Sequence, residues 1–196
     1  MTFSVFCERL YGKKSQEGTL RVMSFNIRLG VANDGDNRWD LRKDLVVNTI
    51  RDYNPDLLGL QEVFPMQEEY LRENFPEYFY YGRSRLVDPK DGEACSIMFR
   101  KDRFDVVEKS TFWLSETQNE PGSKSWDSSL PRIANLVRLT DKQAAGKKII
   151  FINTHFDHRG KKAREEAAKI IKNRVSILEK GVGVVITGDF NSGEGS

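Results

Sequence analysis

Four short apolar runs in this chain each stop on a polar residue, and that pattern limits what it can fold into. Leu20, Val22, Ser24 and Asn26 alternate with Arg21, Met23 and Phe25; Leu57 to Leu60 delivers Gln61 and Glu62; residues 148–154 deliver His155; and Val184 to Ile186 leads through Gly188 to Asp189 and Asn191. Each run is predicted as a strand, the last one covered on both faces because its β-branched residues are continuous. On extended backbone Asp189 and Asn191 would point the same way, whereas in a turn each would bond its own backbone.

Helical spacing separates the strands. Leu41, Leu45, Thr49 and Ile50 predict a helix closed by Asn54-Pro55, and Pro65 opens a second one carrying Tyr70, Leu71 and Phe75. Ala163, Ala167, Ile170, Ile171, Val175 and Leu178 mark a third over 161–178. Segments 78–82, 94–100, 104–114 and 132–139 predict an antiparallel series. The polar stretch 115–130 exceeds a hairpin loop and is expected to be a functional surface loop. The fold class is therefore α/β (α+β), with a lead-in over 1–18 and one domain over 19–196.

Charge and cysteine content exclude several classes. Lys plus Arg number 31 against 29 Asp plus Glu, which disfavours a long nucleic-acid footprint. Two cysteines are too few for a disulfide framework or a Cys-rich zinc site. Nothing approaches the roughly 20 apolar residues of a membrane span, and the first residues make a poor signal peptide, so a cytoplasmic protein is expected. No protein partner is implied.

If the four strands share a sheet, their ends meet along one edge, where α/β architectures place ligands. Glu62 suits Mg²⁺, a hard cation that takes oxygen ligands, and Mn²⁺ would serve similarly. Asn26 can orient that site, His155 can stabilise charge on phosphoryl oxygens, Asp189 can orient a water, and the Asn191 amide can bind phosphate. Each also has a structural reading, as turn former or exposed strand end. A run such as His155-Phe156-Asp157-His158 also invites a zinc reading, but two histidines cannot complete a His-rich cluster.

Ser24-Phe25-Asn26, Leu60-Gln61-Glu62-Val63, Asn153-Thr154-His155 and Gly188-Asp189-Phe190-Asn191 together resemble the endonuclease/exonuclease/phosphatase (DNase-I-like) superfamily from about Leu20 onward. Thr111-Phe112-Trp113-Leu114-Ser115-Glu116, Pro131-Arg132-Ile133 and His155-Phe156-Asp157-His158-Arg159 are similar to a mainly microbial branch. The resemblance implies a four-layer α/β/β/α sandwich and a Mg²⁺-dependent phosphohydrolase, foremost a phosphodiesterase, acting on nucleic acid or a small phosphodiester. It puts Glu62 on the metal with Asn26 nearby, His155, Asp189 and Asn191 in catalysis, and Arg132 and His158 near the substrate phosphate. Arg132 can equally form a surface ion pair. Members of the family continue past the Gly-Asp-Phe-Asn turn to an Asp-His pair that this chain does not contain. The expectation is therefore a fragment with impaired activity and an uncovered sheet face, and a binding module that keeps the fold without the reaction is the competing function.

Overall fold

Two four-stranded sheets lie face to face, one of order β1-β2-β4-β3 and the other of order β5-β6-β7-β8. The computed structural model describes residues 19–177 and 181–193, so the predicted lead-in over 1–18 and Leu178 lie outside the described residues. In chain order the elements are β1 (Val22–Asn26), α1 (Trp39–Tyr53), β2 (Leu57–Gln61), α2 (Pro65–Asn74), β3 (Tyr78–Tyr81), β4 (Ile97–Arg100), β5 (Phe104–Trp113), β6 (Ile133–Asp141), β7 (Lys147–His155), α3 (Lys161–Ser176) and β8 (Gly183–Asp189). Both sheets are mixed: β1 runs parallel to β2 and β7 parallel to β8, while the remaining neighbours are antiparallel.

Three apolar clusters order the layers. Val46, Val47 and Ile50 of α1 and Leu71 of α2 pack with Leu58, Leu60 and Met98 on the outer face of the first sheet. Ala167 and Ile171 of α3 pack with Phe112, Leu136 and Ile152 on the outer face of the second. Leu57, Ile97, Phe99, Val137, Leu139 and Phe151 fill the space between the sheets. The result is the four-layer α/β/β/α sandwich, with apolar burial on both faces of each sheet supplying the driving force. No helix of the described residues is long and apolar enough to cross a membrane.

Polar groups pin the sheets together at both ends. Away from the candidate site, the Arg103 guanidinium lies 2.9 Å from both Asp56, just before β2, and Asp141 of β6. At the other end the Asn153 side chain, fully buried in β7, donates across the gap to Leu60 O (2.7 Å) and Ser96 O (2.8 Å). Its oxygen accepts from Gln61 Nε2 (2.7 Å) and Thr187 Oγ1 (2.9 Å). This close approach needs Gly59, where a Cβ would fall 1.9 Å from Thr187 Oγ1 and 2.6 Å from Asn153 Oδ1.

Several sequence expectations change here. The four polar-ended strands do not share a sheet: β1 and β2 lie in one, β7 and β8 in the other. The strands read as one antiparallel series divide likewise, β3 and β4 from β5 and β6. β8 has β7 as its one strand neighbour among the described residues, and Val184 and Ile186 are each 37% exposed there, in place of the expected cover on both faces. Helix α1 buries Trp39, Val46, Val47 and Ile50, which turns Leu41 and Leu45 to solvent. Its end is as read, with Asn54 at φ 52° closing the helix.

Replacing Asn153 by alanine removes four inter-element hydrogen bonds at once. At about 0.5–1.5 kcal/mol each, the loss should reach roughly 2–6 kcal/mol in urea unfolding. A loss under about 1 kcal/mol would show that the sheets do not depend on this contact.

Candidate active site

The polar strand ends meet across the two sheets rather than along one. Asn26, the last residue of β1, donates from Nδ2 to Glu62 Oε1 (2.9 Å) and to Asp189 Oδ2 (3.0 Å), so one amide joins two carboxylates from opposite sheets. Its Oδ1 accepts from the Arg28 N–H (2.9 Å), which fixes which side of the amide faces the carboxylates. Glu62 follows β2 in the left-handed region, φ 63°, a strained conformation for a residue with a Cβ. Its Oε2 accepts from the Leu29 N–H (2.8 Å), and Arg42 steadies that loop by donating to the carbonyls of Ile27 and Arg28.

Asp189 ends β8, and its carbonyl accepts from the Phe156 N–H (2.8 Å). Oδ1 accepts from the Asn191 N–H (3.0 Å), and Asn191 has φ 48°. The Asx turn is therefore real, and Asn191 lies beyond the strand rather than on its face. One hydrogen of the Asn191 amide goes to Phe156 O (2.9 Å). Burial opposes ionisation of Asp189, but the bonds from Asn26 and Asn191, with His155 and Arg132 nearby, outweigh it and hold the carboxyl below its usual range.

His155 ends β7, is 6% exposed, and brings Nε2 to 3.7 Å from Asp189 Oδ2. Its Nδ1 is buried with no hydrogen-bond partner among the described residues. Burial, reinforced by the positive charge of Arg132, lowers its pKa to about 4 against the pull of Asp189 and Glu62. A pKa there leaves the ring uncharged at neutral pH, a form that can share a hydrogen bond but carries no positive charge.

This donor set fits a hard divalent ion. Each oxygen of Glu62 and Asp189 accepts one hydrogen bond and keeps a second lone pair, and two carboxylates share one neutral amide. Mg²⁺ needs few protein ligands because it retains water. Zinc fits poorly: the Asp157 carboxylate is occupied by N–H and O–H donors, and His158 faces Arg132. Among the described residues no group of three His, Cys, Asp or Glu side chains is placed to hold a metal ion by itself.

Arg132 is 5% exposed, so it is no surface ion pair. Nη2 donates to His158 Nδ1 (3.2 Å), since a guanidinium only donates, and this leaves His158 Nε2 as the ring nitrogen not engaged by Arg132. Nη1 and Nε lie 3.6 Å from Glu93 and 3.7 Å from Asp157, beyond hydrogen-bond reach, and the buried guanidinium is held by charge. Glu93 also pairs with Arg85.

Two aspartates support this arrangement in a role the sequence did not reveal, where Asp157 reads only as part of a histidine-bearing motif. Asp157 accepts from Ser129 Oγ (2.7 Å) and the N–H groups of Ser129 (3.1 Å), Leu130 (3.2 Å), Arg159 (3.0 Å) and Gly160 (2.8 Å). These bonds overcome its burial and keep it well below the usual carboxylate range. Asp127 caps α3 by accepting from Lys162 N–H (3.2 Å) and Ala163 N–H (2.7 Å). The long 115–130 segment is thus docked onto the β7–α3 turn. An aspartate between two histidines and the Trp126-Asp127-Ser128 run were the available signals.

The model of the Endonuclease/Exonuclease/phosphatase family matches residues 23–195. An endonuclease/exonuclease/phosphatase structure from Bacteroides vulgatus is 38% identical, with a TM-score of 0.86 over 90% of this chain and 67% of that one. A Bacteroides thetaiotaomicron protein described as a mannosyl-6-phosphatase is 37% identical, with a TM-score of 0.83 over 88% of this chain and 66% of that one. The CCR4-Not complex 3'-5'-exoribonuclease subunit Ccr4 of Neosartorya fischeri is 28% identical over 134 residues, 60% of this chain and 18% of its own. The chain thus spans about two thirds of the bacterial structures and a small part of the fungal subunit.

The depressed His155 pKa carries a sign for stability. Between about pH 6.5 and its folded pKa of about 4, the unfolded chain binds a proton that the native ring refuses, so stability falls on acidification across that window. For metal-free protein the slope from this one group is at most about 1.4 kcal/mol per pH unit. His155→Gln should remove that contribution, measured as the difference between the two urea-unfolding profiles; superimposable pH dependences would contradict a neutral buried His155.

Proposed function

We propose that this chain, which belongs to the endonuclease/exonuclease/phosphatase family, carries the metal-binding and phosphate-activating residues of a Mg²⁺-dependent phosphohydrolase. The observation that carries this reading is the single Asn26 amide joining Glu62 and Asp189 beside a neutral His155. Phosphodiester cleavage by in-line attack of water on phosphorus is the leading reaction, in keeping with the exoribonuclease description of Ccr4. Cleavage of a phosphomonoester is a second reading, favoured by the 37% identical protein described as a mannosyl-6-phosphatase.

Glu62 would hold Mg²⁺, or Mn²⁺, with Asn26 fixing the carboxylate. When bound, the ion supplies Lewis acidity toward a phosphoryl oxygen. Asp189, kept ionised by its donors, accepts a hydrogen from the attacking water and orients it. His155 donates a hydrogen bond to a phosphoryl oxygen as charge builds there, and the second Asn191 amide hydrogen serves another. Arg132 adds positive potential from beneath, with His158 Nε2 left unengaged by it.

Hydrolysis of an activated aryl phosphodiester should require added Mg²⁺ or Mn²⁺, and Glu62→Ala should reduce it at least about 10²-fold with the far-UV spectrum unchanged. Turnover that survives exhaustive chelation would sink the metal-dependent reading.

A further inference from the structure

Two of the three tryptophans belong to the scaffold. Trp39, 5% exposed, meets Tyr70 edge-on beneath Arg42, and Trp113, 3% exposed, donates from Nε1 to Arg85 O (2.8 Å) with Arg83 over its ring. Trp126 is different. It is half-buried, belongs to none of the core clusters, and has no hydrogen bond or aromatic or cationic ring partner among the described residues.

Its backbone is also held where a bulky residue is rarely found, at φ 55°. Anchors on both sides keep it there: Ser125 Oγ accepts from the Glu116 N–H (2.9 Å), and Asp127 caps α3. The segment joins the end of β5 to the start of β6, and the register pairs Trp113 with Ile133, Ala134 with Thr154, and His155 with Asp189. Trp126 therefore belongs to a segment that leaves and re-enters its sheet at the edge where β7 and β8 deliver His155 and Asp189. Arg132, just before β6, meets His158 of the β7–α3 turn onto which this segment docks.

We propose that Trp126 is a ring platform, on which the sugar or base of a phosphate ester's alcohol half stacks while the phosphate sits by His155 and Asp189. An indole face attracts any flat or weakly polar ring and reads no sequence, so it selects ring-bearing esters over acyclic ones. The inference rests on the phosphohydrolase reading for where the phosphate sits. It adds the class of alcohol.

Because Trp39 and Trp113 are buried, the emission of the full chain should respond chiefly through Trp126. Titration with a nucleoside 5'-monophosphate, a hexose 6-phosphate and inorganic phosphate, each with Mg²⁺ present, separates ring from phosphate. A change with at least one ring-bearing ester but not with inorganic phosphate is expected, and the arm that responds names the ring. Trp126→Ala should abolish it and weaken that ester about tenfold more than inorganic phosphate, while Trp126→Phe keeps most of the affinity. Silence with both esters, or equal weakening of ester and inorganic phosphate in Trp126→Ala, would overturn the proposal. Trp126-dependent binding without phosphate release from these monoesters would count against the phosphomonoester reading alone and leave the platform standing.

Discussion

A single carboxamide buried between two sheets sets the geometry on which the site depends. Asn153 satisfies carbonyls of the first sheet while accepting from Gln61 and from Thr187 of β8, so three strands are fixed relative to one another at the edge where chemistry is proposed. An apolar residue there would hold the layers by burial alone, which sets spacing loosely because it has no direction. Hydrogen bonds have direction, and here they bring Asn26 within reach of Asp189 across the gap.

The two buried arginines do different work. Arg103 is closely paired with two aspartates and serves the scaffold. Arg132 keeps looser charge contacts with Glu93 and Asp157, and its field reaches His155 and Asp189, disfavouring a proton on one and favouring the charge on the other. A buried cation whose partners stand slightly too far away leaves part of its potential for the cleft.

Much of this was readable in the residues. Period-two and continuous apolar runs located the strands, and a polar residue ending each of four runs pointed to Asn26, Glu62, His155 and Asp189. Which sheet each strand joins was not readable, because pairing is decided by distant partners rather than by local pattern. Val184 to Ile186 has the composition of a covered strand whether it lies at a sheet's centre or its edge. Leu41 and Leu45 misplaced the buried face of α1 because Trp39 and Val46, two apolar residues on the other side, weigh more. The anchoring role of Asp157 was hidden for a related reason: beside the local Arg159 and Gly160 N–H groups, its partners Ser129 and Leu130 arrive from a loop some 28 residues earlier.

Asn26 and Asp189 both sit on strands with one strand neighbour each among the described residues, β1 beside β2 and β8 beside β7. The Asn26–Asp189 bond and the Ser24 hydroxyl, which accepts from the Gly188 N–H at 3.1 Å, are clasps between these two strands. A ligand that grips both carboxylates would add a further clasp between the two sheets, and by linkage its occupancy would tighten the seam they form there.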